Sequence, residues 1–127
     1  MLERIEKDGE LLALVVRSNY SAEETNFVSE ENHAFQIGFH NRKKGYRYRK
    51  HITQPFSNVS FNPNKIYYVQ EGRIKINISD DNTVYLNAGD LICFISGWHD
   101  LEMLEDGKFI EIKQGPYRGE KDKRFLE

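Results

Sequence analysis

Two imidazoles, His51 and His99, are the side chains of this chain best suited to moving a proton near neutral pH. Lys65, Tyr67, Glu111 and Lys113 add two ammonium groups, a phenol and a carboxylate. A lysine can stabilise an enolate or hold a phosphate. A tyrosine can donate a proton or offer a ring for stacking. Glu111 and Lys113 stand two positions apart, so a strand places them on one face. They are either inward pocket residues or an outward ion pair. Gln36 poses the same question in the run Phe35 to Phe39, where it shares a face with Gly38, opposite Phe35, Ile37 and Phe39. Trp98 is read first as a packing residue and second as a platform for a sugar ring. Plainer readings stand beside the others: His51 as a strand cap among basic neighbours, and Lys65 as a solvated strand start after Pro63-Asn64. His33 and His40 are read as surface residues.

The elements that must position these groups read as short strands between turn signals. Apolar or alternating runs occur at Leu11 to Val16, Phe35 to Phe39, Tyr46 to Ile52, Ile66 to Val69 and Ile74 to Ile78. They continue at Thr83 to Leu86, Leu91 to Ile95, His99 to Leu104 and Phe109 to Lys113. Asp8-Gly9, Asp80-Asp81-Asn82, Ala88-Gly89-Asp90 and Asp106-Gly107 are turn signals, and Glu71-Gly72 reads as a hairpin turn. Only Ser21 to Asn32 looks helical, with Ser21 and Glu24 forming a capping-box pattern. The pattern predicts an all-β sandwich or closed barrel in a single domain over residues 1–127, with a charged, loosely held tail at 119–127.

Composition bounds the function. The chain has 127 residues, 30% of them charged and 13% aromatic, and a formal net charge of -2. That balance calls for neither nucleic acid nor an anionic membrane as partner. The basic run Arg42, Lys43, Lys44, Arg47, Arg49 and Lys50 is either a phosphate-binding patch or a solvated loop and strand face; the alternation favours the second. The lone Cys93 lies in an apolar strand and reads as a buried, inert thiol. No run approaches a membrane span, and the charged start Met1 to Arg4 lacks an apolar signal region. A cytoplasmic location is expected.

Gly45 followed by five residues and His51, then Gly72, then Gly89-Asp90 and, after Ser96-Gly97, His99 resembles the two-part motif of the cupins. Sixteen residues separate Gly72 from Gly89, close to the usual spacing between the two parts. The resemblance covers roughly residues 35–113 and implies a jelly-roll β-barrel. The stretch Glu102 to Asp106 and the stretch Ile110 to Tyr117 look most like small cupins of bacterial surface-polysaccharide and nucleotide-sugar pathways. Such proteins imply a small-molecule carbohydrate or nucleotide sugar as partner, and a homodimer, for which Leu11 to Val16 is the candidate partner strand.

The sequence departs from the family where a metal would bind. His51 and His99 match two of four ligand positions, but Thr53 and Lys65 stand at the others, and Gln54 to Asn64 is longer than the motif allows. Met103 stands where the motif ends in Asn. Two imidazoles hold a metal weakly, and a catalytic site needs at least three ligands. No cofactor is therefore expected; a divalent metal, if present, would use His51, His99 and Glu111. Some sugar-nucleotide ketoisomerases and epimerases on this barrel work without metal. By that resemblance the expected activity is isomerase-like or epimerase-like acid–base chemistry. His51 and His99 would be its acid and base, Lys65 or Lys113 its electrostatic stabiliser, and Tyr67 a donor or stacking surface. Gln36, Trp98, Glu111 and Lys113 would bind substrate. The alternatives are a binding barrel that senses a sugar or anion without turnover, and a metal cupin with a non-standard third ligand.

Overall fold

The computed structural model describes residues 1–50, 64–114 and 126. Ten strands run along them: β1 (Leu2–Lys7), β2 (Glu10–Val16), β3 (Glu24–Phe27), β4 (Gly38–Asn41), β5 (Lys65–Glu71), β6 (Arg73–Ile78), β7 (Asn82–Asn87), β8 (Leu91–Phe94), β9 (His99–Met103) and β10 (Lys108–Lys113). Among the described residues there is no helix, so no helix is long and apolar enough to cross a membrane. The strands form three antiparallel sheets, ordered β1-β2-β8-β5-β10, β7-β6-β9 and β3-β4.

Period-two patterning explains how the first two sheets meet. In β6 every second residue is apolar, and Ile74, Ile76 and Ile78 are fully buried while Arg73 is exposed and Lys75 and Asn77 are only half-buried. They pack in one cluster with Val84 and Leu86 of β7 and with Ala13, Val15, Tyr67, Val69, Ile92 and Phe94 of the five-stranded sheet. Two sheets thus lie face to face over a shared core. Each fully buried isoleucine stabilises this contact by about 1.5–3 kcal/mol. A smaller cluster on the opposite face of the five-stranded sheet joins Leu14, Ile66 and Cys93, with Phe35 and Ile37 packed against it.

Four local expectations need correction. Glu71-Gly72 is not a hairpin turn, because β5 pairs with β8 and β10 whereas β6 pairs with β7 and β9. The chain turns a corner there from one sheet to the other. Gly72 has φ 88°, and a Cβ on it would lie 2.7 Å from the Asp106 carbonyl oxygen, in the β9–β10 crossover. Ser21 to Asn32 forms no helix. Glu24 has φ 64°, the Ala22 carbonyl accepts from Asn41 Nδ2 at 2.9 Å, and Thr25, Asn26 and Phe27 pair with β4. Tyr46 to Lys50 is not a strand but an exposed, irregular segment after β4. Finally, β2 lies between β1 and β8, with both edges already paired, so it offers no free edge to a second copy. β1, which the charged start of the chain concealed, takes the sheet edge.

The Gly72 corner yields a stability test. Gly72→Ala meets both a left-handed backbone and a close carbonyl and should lower unfolding free energy by about 2 kcal/mol or more. Gly9→Ala, in the β1–β2 turn at φ 79° with nothing within 4 Å, should lose only about 1 kcal/mol. Urea unfolding of the two variants measures the difference; equal losses would mean that the corner is not tightly packed.

Candidate functional site

The site follows from the register of the five-stranded sheet. Val15, Ile92, Tyr67 and Glu111 lie opposite one another across β2, β8, β5 and β10. The neighbouring row is Ala13, Phe94, Lys65 and Lys113. Both rows face the shared core, because Val15, Ile92, Tyr67, Ala13 and Phe94 belong to it. Each row starts apolar and ends charged at β10. On the facing sheet, His99 stands opposite Ile78, so it points to the same interior.

These side chains meet. The His99 ring stacks on Phe94 with centroids 3.8 Å apart and planes 13° from parallel. Tyr67 lies edge-on to His99 at 6.0 Å, to Phe94 at 5.2 Å and tilted to Phe109 at 5.0 Å. Lys65 Nζ lies 3.7 Å from Glu111 Oε1 and 5.8 Å from the centre of the Tyr67 ring. Tyr67 stands directly opposite Glu111 across β5 and β10, so the phenol and the carboxylate share one face. Burial first, and then the nearby Glu111 carboxylate, push the phenol up to about 12. Tyr67 therefore keeps its proton at neutral pH and acts as a donor. Tyr67 is only 5% exposed, whereas the Glu111 side chain is 36% exposed. The carboxylate is the part of the pair that a ligand reaches first.

The expected residues divide clearly. Lys65, Tyr67, His99 and Glu111 come together, and Lys113 shares their face at the next position of β10. His51 lies outside the described residues. Gln36 is occupied elsewhere: its Nε2 donates to the carbonyls of Glu30 at 2.8 Å and His33 at 3.0 Å, tying together the loop between β3 and β4. Trp98 is 37% exposed and makes no ring contact with the cluster among the described residues. His33 is more covered than a surface residue, with a side chain 10% exposed beside Glu30. Sequence reasoning missed Phe94 and Phe109, which wall the site; their period-two spacing from Ile92 and Glu111 is the signal that marks them.

Among the described residues no group of three His, Cys, Asp or Glu side chains is placed to hold a metal. Cys93 is buried, and desolvation pushes its thiol up to about 11, as an inert core residue requires. A separate polar hollow of about 440 Å³ is lined by residues that include Glu3, Arg17, Tyr85 and Asp90. Its cation is already bound, since Arg17 contacts Glu3 at 2.6 Å and Asp90 at 3.0 Å. No protein-family model, curated protein or solved structure matches this chain.

The Tyr67–Glu111 coupling is open to alkaline titration. The unfolded phenol ionises near 10.0 and the folded one near 12. The folded state thus holds the proton more tightly, and Tyr67 contributes stability that is complete below pH 10 and is lost as pH rises to 12. Denaturant midpoints measured from pH 9 to 12 should fall less steeply in Tyr67→Phe than in the parent. An unchanged slope would show that this hydroxyl is not the group being held.

Proposed function

We propose that this chain is a cupin-type jelly-roll β-barrel that acts on a nucleotide sugar or related carbohydrate, moving a proton beside a carbonyl group. The observation that carries the reading is the meeting of Lys65, Tyr67, His99 and Glu111 at the charged end of the shared core. Facing antiparallel sheets support the cupin part of it.

The geometry suits an exchange of partners. In the resting arrangement, Glu111 stands across from Tyr67 and lies beside Lys65. A substrate carbonyl oxygen entering this end takes Tyr67 and Lys65 as its donors and releases the carboxylate. Glu111 then removes the proton from the carbon beside the carbonyl. The electron pair of that C–H bond moves onto the oxygen, where the ammonium and the phenol stabilise the enolate. Return of the proton at the same or a neighbouring carbon, or to the other face, gives an isomer or epimer. His99, held flat against Phe94, is the second proton carrier on the facing sheet. His51 is its partner in the proposal by sequence position alone.

Solvent exchange tests this reading. In D2O, a keto-sugar nucleotide incubated with the protein should acquire deuterium beside its carbonyl, followed by NMR or mass spectrometry. Glu111→Gln should lower the rate by about 100-fold or more, and His99→Ala by about tenfold or more. Binding without exchange would replace the enzyme with a sugar-sensing protein, and neither binding nor exchange would remove the carbohydrate altogether.

A further inference from the structure

The segment Arg42 to Lys50 departs from the rest of the chain in both charge and exposure. It holds six of the eighteen Lys and Arg and none of the twenty Asp and Glu, in a chain of net charge -2. Lys43 to Lys50 are all exposed and irregular. Tyr46 and Tyr48 within it are 50% and 55% exposed, so these large rings are not spent on the core.

The rings are nevertheless held in place. The Arg42 guanidinium lies 4.2 Å from the Tyr46 ring centre, and Tyr46 and Tyr48 meet edge-on at 5.1 Å. The Tyr48 hydroxyl lies 2.9 Å from His40 Nδ1, and the His40 ring contacts Tyr48 and Phe27 edge-on. Arg42 is anchored in turn on Thr25 Oγ1 at 3.1 Å and on Glu24 at 3.6 Å. The β3–β4 hairpin thus mounts a short series of aromatic rings inside a cationic loop. Fixing the rings beforehand removes part of the ordering cost of binding.

Cations alone would suit any polyanion. Half-exposed rings between them add a requirement for flat partners that can stack, and accessible bases beside phosphates meet both conditions. A duplex hides its bases from such rings. We infer that Arg42 to Lys50 forms a binding site for single-stranded nucleic acid, with Lys43, Lys44, Arg47 and Lys50 on phosphates and Tyr46 and Tyr48 against bases. This surface is independent of the proton-transfer reading. It departs from the expectation of no nucleic-acid partner, which rested on whole-chain charge and on reading this basic run as a solvated loop and strand face.

Fluorescence anisotropy with labelled 12-nucleotide oligo(dT) and oligo(U) tests the site on the full chain. Four phosphate contacts predict an affinity loss of about 50-fold between 50 and 200 mM salt. Tyr46→Ala and Tyr48→Ala should each weaken binding about tenfold at constant salt. Both side chains lie outside the core, and far-UV circular dichroism checks that the variants fold; Tyr46→Leu removes the aromatic face while keeping bulk. Lys43→Glu with Lys44→Glu should weaken binding further and flatten the salt dependence. Equal affinity for a duplex or a heparin fragment, or tyrosine variants that bind like the parent, would overturn the proposal in favour of a charge-only surface. Absence of binding at 50 mM salt, or preferential capture of an acidic peptide, would overturn it outright.

Discussion

The isoleucines of β6 must be covered by the five-stranded sheet, and this contact governs the rest of the molecule. Ile74, Ile76 and Ile78 are fully buried, and truncating any one to alanine removes about 2–5 kcal/mol from a fold whose whole stability is about 5–15 kcal/mol. Covering them fixes which face of β2, β8, β5 and β10 turns inward. Once that face is fixed, Tyr67 has no choice but to bury its ring beside Phe94 and Phe109. A buried hydroxyl without a partner costs about 1–3 kcal/mol, and Glu111, directly across on β10, brings a carboxylate to the same face. The candidate site is thus the place where the core runs out of apolar residues, and its chemistry begins as satisfaction of a core tyrosine.

Two further devices hold the sheets in register around that end. At the corners, Gly72 and Gly107 bring the β5–β6 and β9–β10 crossovers into backbone contact; a Cβ on Gly107 would overlap the Glu71 carbonyl. Across the layers, the stack of His99 on Phe94 joins β9 to β8, which share no ladder. The N-terminal hairpin is tied down separately. Arg17 bonds Glu3, the Tyr85 carbonyl and Asp90, and the buried Asp90 also accepts from the backbone amides of Ser18 and Asn87. The hydrogen bond to Glu3, and less strongly that to Asp90, hold the guanidinium above its ordinary value, so the charge is permanent. Removing Arg17 would leave the buried Asp90 carboxylate without its cation, which is why such networks resist piecemeal change.

What the sequence discloses, and what it hides, follows from how local each cause is. The alternation in β6 is visible because its two faces differ sharply, with Arg73, Lys75 and Asn77 opposing three isoleucines. β1 escapes because its half-buried face is Glu3, Ile5 and Lys7, two of them charged and covered by ion pairs to Arg17 and Asp81 instead of by apolar packing. Glu71-Gly72 resembles a hairpin because a glycine with positive φ serves a tight turn and a sheet-to-sheet corner equally well. Ser21 and Glu24 mimic a cap, but no apolar period of 3.6 follows them, and Thr25 to Phe27 pair with β4 instead. Tyr46 to Lys50 alternates like a strand, but its rings and cations contact one another and the β3–β4 sheet instead of a strand partner. In the site, the shared face of Glu111 and Lys113 is legible, since it needs only the period of one strand. The meeting of Glu111 with Tyr67 and Lys65 is not, because it depends on the register between two strands far apart in sequence.

The same distinction separates the two surfaces to which function is assigned. Tyr67 belongs to the core, so the candidate site is bound to stability: its phenol is held in place by packing, and its carboxylate lies beside an ammonium. Pre-organisation of this kind is what proton transfer beside a carbonyl requires, since donors must already point to where charge develops. The cationic loop has the opposite economy. Its rings rest on one another and on the small β3–β4 sheet, outside the shared core, so their order costs the fold little. One chain thus combines an interior fixed by packing with an ordered aromatic and cationic surface that lies outside that packing.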